Sequence, residues 1–376
     1  MAPDGSAGSG VAEWTAAGLY DPEAVQAPDR LALLSFLVEQ GCSLSEMVEA
    51  EGRDRLFALA GDRIIRPPWP RYDLTAAAAA LDADEATLAR AWRSFGLPTP
   101  TGEVFGAADL EALRTWLDVR EMLGEAGAVG MSRVIGAGMG RLAEAESAAM
   151  RVGLDGQVDR GHTGSEVTTG RAYALVAEMV PRIGNVLDTV HRHHIEAARR
   201  HFELVAPGYD DALRCGVGFA DLSDFTQMSQ EMPLAALSVL LAEFDHASSE
   251  TVADGGGRVV KFLGDAVMYV APTTGALAGI ALDLVHHPKA AVAGLRVRAG
   301  IAFGDLLAQD GDYFGPPVNL AARLVAAAEP GEVLAEPGLA PLLGPDFLLE
   351  EREPRLLRGI EVAVAPFAVR RSDALG

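Results

Sequence analysis

Apolar positions in the first 200 residues recur at helical spacing, in stretches separated by glycine and proline: 31–38, 44–49, 74–81, 88–95, 110–117 and 172–180. No stretch there alternates with the period of two that a half-buried strand requires, so this half is read as all-α. The texture changes from Cys215. Short apolar runs at 215–220, 259–263 and 266–270, and an alternating stretch within 295–303, predict strands. Helical patterns lie between them at 233–252, 275–285 and 317–328, and later strands are expected at 332–335, 347–349 and 362–369. Strands and helices in this order make an α+β fold, with a tight hairpin joining the second and third strands. Between the halves, 185–205 carries one uninterrupted helical pattern that Pro207-Gly208 ends. The expected division is an all-helical domain over 1–184, a long coupling helix over 185–210, and an α+β domain over 211–376.

Composition narrows the class. The 376 residues are 49% hydrophobic and 22% charged, which suits two or three folded domains and excludes a disordered chain. A net charge of −22 argues against nucleic acid as the main partner. The two cysteines, Cys42 and Cys215, exclude a disulfide scaffold and a zinc cluster, and fit a reducing cytosol; a cytoplasmic location is expected. The uncharged run at 266–282 is 17 residues long and Pro-Thr-Thr-Gly interrupts it, so no membrane span is expected where about 20 apolar residues are needed. The first ten residues lack the basic and apolar regions of a signal peptide and read as a floppy tail.

Candidate chemistry gathers in the second half. Asp221 closes the run Val217-Gly-Phe-Ala-Asp221, and Asp265 sits in the turn of Lys261-Phe-Leu-Gly-Asp265-Ala-Val-Met. If those strands are neighbours, both carboxylates project from one sheet edge. Paired carboxylates without His or Cys suit a hard divalent cation, Mg²⁺ or Mn²⁺. A third block reads Asp312-Tyr-Phe-Gly-Pro-Pro-Val-Asn319-Leu-Ala-Ala-Arg323. Pro316 and Pro317 suit a helix start, which puts Asn319 and Arg323 at i and i+4 on one face, where an arginine can stabilise charge on a phosphoryl group. Taken singly, each of these residues is equally a turn cap or an exposed polar position.

Together the three blocks resemble those of class III nucleotidyl cyclases, in order and in spacing, over about 215–369. The resemblance implies a ferredoxin-like catalytic domain in which Asp221 and Asp265 bind two Mg²⁺ or Mn²⁺ ions. It implies that Lys261 and Asp312 read the purine, Asn319 orients the ribose, Arg323 stabilises the pentavalent transition state and Arg358 contacts the triphosphate. Metal ligands would come from one protomer and purine-reading residues from the other, so a homodimer with two shared sites is expected. Elementary chemistry agrees on the base. A donor-only lysine and an acceptor-only aspartate match the N1 acceptor and N6 donor of adenine and mispair with guanine, so ATP is the expected substrate. Asp224 departs from the family, where many members have glycine. A catalytically silent nucleotide sensor of the same fold is the alternative. A diguanylate cyclase fits poorly, because the hairpin Leu263-Gly-Asp-Ala-Val267 lacks a second acid.

The first half resembles the regulatory domain that precedes the catalytic domain in soluble actinobacterial cyclases. Leu74-Thr-Ala-Ala and Leu88-Ala-Arg-Ala-Trp92-Arg-Ser-Phe-Gly96 also resemble a MerR-type helix-turn-helix. Residues 71–120 carry five basic and eight acidic groups, which is too little positive charge for DNA, so no DNA partner is expected. In the coupling helix, His191, His194 and His201 share a face with Ala198, and histidine changes charge near physiological pH. These three are candidate pH-responsive residues; a solvated histidine-rich helix is the equal alternative.

Overall fold

Short polar side chains start several of the N-terminal helices. The Ser43 hydroxyl accepts from the Glu46 N–H and the Glu46 carboxylate returns the bond to the Ser43 N–H, a capping box, while Asp73 and Asp84 cap the helices that follow them. The computed structural model describes residues 7–65, 71–158, 165–206, 212–223, 225–288 and 296–372. Asp224, Lys289 and Pro207-Gly208 lie outside them. The chain forms two compact units, Met1–His193 and His194–Gly376.

Unit one is helical: α1 (Ala7–Ala16), α2 (Ala27–Glu39), α3 (Leu44–Glu51), a 3₁₀ turn (Leu56–Ala58), α4 (Leu59–Ile65), α5 (Leu74–Leu81), α6 (Glu85–Ser94), α7 (Ala107–Val158), α8 (Glu166–Ala177) and most of α9 (Val180–Val205). Two cores hold it. One gathers Trp14, Leu33, Leu37, Met47 and Ala174; the other gathers Leu88, Trp92, Phe105, Leu113 and Trp116. Helix α7 runs far past the stretch its periodicity predicts, and helical geometry breaks at Gly124 (φ 75°, ψ 168°). The Trp116 indole donates to Ser132 Oγ at 2.9 Å. Sixteen residues of straight helix would part these side chains by about 24 Å, so the segment folds back on itself there. No helix among the described residues is long and apolar enough to cross a membrane.

Unit two is an eight-stranded sheet flanked by helices. Its elements are β1 (Ala212–Leu222), α10 (Phe225–Glu231), α11 (Leu234–Asp254), β2 (Arg258–Phe262), β3 (Ala266–Ala271), α12 (Thr274–Val285), β4 (Val297–Gln309), β5 (Asp312–Phe314), α13 (Pro316–Ala327), β6 (Val333–Ala335), β7 (Phe347–Glu351) and β8 (Phe367–Arg371). The strand order is β2-β3-β1-β4-β6-β8-β7, with β5 paired to the far end of β4. Antiparallel β3 and β4 flank β1, and α13 carries the crossover from β4 to its parallel neighbour β6. Alternation sorts the two faces: Val267, Tyr269 and Ala271 point to the core beneath α11 and α12, whereas Met268 and Val270 join Val217, Phe219 and Val325 under α13. The predicted strands and helices of this half are all present. Strand β4 extends six residues beyond the expected stretch, and β5 and α10 were not anticipated. Strand β8 begins at Phe367 rather than 362, directly after Pro366, which has no N–H to give to a ladder.

Helix α13 sits unusually close to β4. A Cβ on Gly300 would lie 2.2 Å from the Val325 nitrogen and 2.5 Å from the Ala321 carbonyl oxygen, both backbone atoms that cannot step aside. Gly300→Ala is expected to destabilise this unit by about 3 kcal/mol, the upper end of overpacking costs. Scanning calorimetry should show a lowered transition for the sheet unit; an unshifted transition would mean that the helix can move freely.

Candidate active site

The β1 register places Asp221 between Ala266 on β3 and Arg298 on β4. Asp265 lies in the β2–β3 turn, which closes through the Leu263 N–H donating to the Ala266 carbonyl at 2.7 Å and needs the positive φ of Gly264 (72°). A further bond, Leu222 N–H to the Asp265 carbonyl at 3.0 Å, ties this turn to the end of β1. The two carboxylates therefore converge. Burial first, and then the charge and hydrogen bond of Asp221, raise the Asp265 carboxyl above the usual carboxylate range. Arg298 directs Nε (3.2 Å) and Nη2 (2.8 Å) to the same oxygen, Asp221 Oδ2, and its Nη1 reaches the Ala326 carbonyl on α13 at 3.5 Å. Two hard carboxylates with like-charge strain between them form a donor set that fits a divalent cation completed by substrate oxygens. Among the described residues no three His, Cys, Asp or Glu side chains form a larger cluster.

Backbone amides beside this turn are drawn into the sheet. Leu222 N–H donates to the Asp265 carbonyl and Ser223 N–H donates to the Arg296 carbonyl at 2.8 Å, so neither is available to a ligand.

Lys261 and Asp312 lie 51 residues apart in sequence and form an ion pair, Nζ to Oδ2, with about a third of each side chain exposed (35% and 28%). The Tyr313 N–H donates to the other oxygen, Asp312 Oδ1, at 2.9 Å. On α13, Gly315 precedes Pro316 and Pro317, and Asn319 and Arg323 follow on an exposed face. No hydrogen bond or ion pair among the described residues joins Asn319 or Arg323 to either acidic pair. Arg358 is exposed and likewise unpaired among the described residues, whereas Arg352 is held by Glu332 and Glu350 and Arg355 by the Ala327 carbonyl. Of these three arginines, Arg358 is the one without a side-chain partner among the described residues.

The three histidines divide. His191 and His194 are exposed, and His201 is half-buried against the sheet unit. Its ring stands edge-on to Tyr313 (centroids 6.4 Å apart, planes at 87°), and the Arg258 guanidinium lies 5.8 Å over the same Tyr313 ring. His201 Nε2, Tyr313 Oη and Arg258 Nε are buried without a hydrogen-bond partner. Burial, and then Arg258, push the His201 imidazole below its ordinary range; burial drives the neighbouring Cys215 thiol up to about 12. Sequence reasoning missed Arg298, Arg258 and Tyr313. For Arg298 the available signal was its place directly across the ladder from Asp221.

Comparison with known proteins covers both units. Residues 13–198 match the adenylate cyclase regulatory domain, and residues 209–369 match the adenylate and guanylate cyclase catalytic domain. Uncharacterized protein Rv2212 of Mycobacterium tuberculosis is 47% identical over 94% of this chain and 92% of its own. An adenylate cyclase of Streptomyces coelicolor is 34% identical, covering 77% of this chain and 76% of that protein. The pH-sensitive adenylate cyclase MT1302 of M. tuberculosis is 29% identical over 91% of this chain and 88% of that protein. The solved adenylyl cyclase CyaB of P. aeruginosa is 25% identical, covers 44% of this chain and 99% of its own, and superposes with a TM-score of 0.41.

Proposed function

This chain belongs to the class III nucleotidyl cyclases and is an adenylate cyclase, and from that premise we propose that it converts ATP into 3′,5′-cyclic AMP and pyrophosphate at two sites shared within a homodimer. The observation that carries this reading is the meeting of distant motif residues: Asp265 beside Asp221, and Lys261 paired with Asp312. In the reaction the ribose 3′-hydroxyl gives its proton to solvent, its oxygen bonds to the α-phosphorus, the bond to the α–β bridging oxygen breaks, and pyrophosphate leaves with the electron pair. Asp221 and Asp265 would hold two Mg²⁺ or Mn²⁺ ions, which when bound supply a lowered pKa for the 3′-hydroxyl and neutralise triphosphate charge. Arg298 grips Asp221 by Oδ2 alone, so its guanidinium does not engage Oδ1.

Lys261 donates to adenine N1 and Asp312 accepts from its N6 amino group, which sets the base in place. Asn319 orients the ribose. One turn further along the same exposed face, Arg323 meets the charge that develops on the transferring phosphoryl group. Arg358 supports the triphosphate. The proposed division remains 1–184 for the regulatory domain, 185–210 for the coupling helix and 211–376 for the catalytic domain.

Regulation by pH is part of this proposal, and His201 is its best-supported element. A histidine whose docked pKa lies below its ordinary 6.5 contributes to docking fully above that value. The contribution is lost as pH falls from 6.5 towards the lowered value. Acid therefore weakens the seat of the helix end on the sheet, where a protonated imidazole would face Arg258 with Tyr313 and Cys215 as its other titratable neighbours. Cyclic nucleotide production from ATP, followed across pH 5–8 with Mn²⁺, tests both parts. The full chain should be active, and the His191/His194/His201→Ala variant should show a flatter profile. No product at any pH would remove the cyclase mechanism, and a profile equal to the parent's would remove the histidine switch.

A further inference from the structure

The cluster around His201 takes no part in the reaction course, yet each residue assigned to the base has one of its members as a neighbour. Tyr313 follows Asp312, and its N–H holds Asp312 Oδ1 at 2.9 Å, which leaves Oδ2 for Lys261. Arg258 lies three residues before Lys261 on β2, and the β2–β3 register shifts between Val259 and Lys261, so the strand is irregular where these side chains are set. Its guanidinium covers the Tyr313 ring, and the edge of the His201 ring closes on that ring at a separation usual for aromatic pairs.

We propose that His201 is a positioning residue for the base pocket: docked, the end of the coupling helix seats Tyr313 and Arg258, and through them the Lys261–Asp312 pair that selects the purine. The inference rests on the assignment of that pair to the base.

The same contact is built to release. His201 Nε2, Tyr313 Oη and Arg258 Nε are closed off from water with no hydrogen-bond partner, and Arg258 has no carboxylate partner among the described residues. Lifting the helix end would hydrate all three groups at once. Hydration of those groups would offset part of the ring contacts that lifting breaks, which gives an event elsewhere on the helix a smaller difference to overcome. Regulation then reaches the reaction through the fit of the base.

Steady-state kinetics on the full chain test this. In His201→Ala, KM for ATP should rise about tenfold and the ATP-to-GTP ratio of kcat/KM should fall about tenfold, with kcat changed less than about threefold, the pattern of lost binding rather than lost chemistry. His201→Phe keeps an edge-on ring without the buried nitrogen and should return both quantities to within about twofold of the parent. Tyr313→Leu should reproduce the alanine effect, and combining it with His201→Ala should add little, because both remove one contact. Parental KM and selectivity in His201→Ala would overturn the proposal, as would a fall in kcat alone, or a phenylalanine variant no better than alanine. Should His201→Ala fail to fold, the phenylalanine and Tyr313→Leu variants decide by the same criteria. Exchanging Lys261 and Asp312 themselves separates the layers. If that exchange leaves base preference unchanged, the base assignment fails; if it alters preference while His201→Ala does not, only the positioning role fails.

Discussion

Arg323→Ala is expected to lower kcat for cyclic AMP formation by about 10²–10³-fold, the loss that follows removal of one preorganised charge-stabilising donor, with KM for ATP little changed. The reason lies in its setting. Arg323 is exposed and one helical turn from Asn319, and none of the described residues competes for its guanidinium. Asp265→Ala should be as inactive for a different reason, since it removes half of the carboxylate pair. Mixing the two inactive chains then tests whether sites are shared. In a mixed dimer one site would carry both defects and the other would carry neither. Random pairing should therefore recover roughly a quarter of parental activity. Recovery near zero would mean that each chain builds its site alone, and a fully active Arg323→Ala chain would remove its assigned role.

The second large effect is on base choice. Lys261→Glu combined with Asp312→Cys should shift the ATP-to-GTP ratio of kcat/KM by about 10²-fold towards GTP. In the parent, the lysine is donor-only and the aspartate acceptor-only; the exchange places an acceptor where guanine offers N1–H and a weak donor near its O6. The parental ion pair makes each single change instructive as well. Lys261→Glu alone sets two carboxylates against each other where an ion pair stood, and its loss should be larger than that of Lys261→Ala. Initial rates with each nucleotide measure this, and an unmoved ratio in the double variant would dissociate the pair from the base.

Much of the catalytic unit was legible because its strands are apolar runs bounded by glycine or acid, and because the motif residues sit at strand ends and on one helical face. The meeting of Lys261 with Asp312 followed from the motif blocks, although nothing local in either segment requires it. What escaped was short or tertiary in origin. Strand β5 has three residues, too few to display a period, and exists because β4 continues past the sheet centre to receive it. The return of α7 at Gly124 rests on one glycine in a segment with several others, and its reality is set by the Trp116–Ser132 bond across the turn. The histidines show the limit most directly. Helical spacing puts His191, His194 and His201 on one face, but which of them packs depends on what lies opposite, and within the described residues only His201 meets a partner ring.

The Gly300 contact also fixes a depth. Where main chain rests on main chain, the limit of approach is set by backbone atoms, so side chains around the contact can tighten the seat of α13 no further. A side chain at this one position would instead push Asn319 and Arg323 outward together with the helix that carries them. One hydrogen atom in place of a methyl group thus sets how deep the helix bearing both residues lies on the sheet.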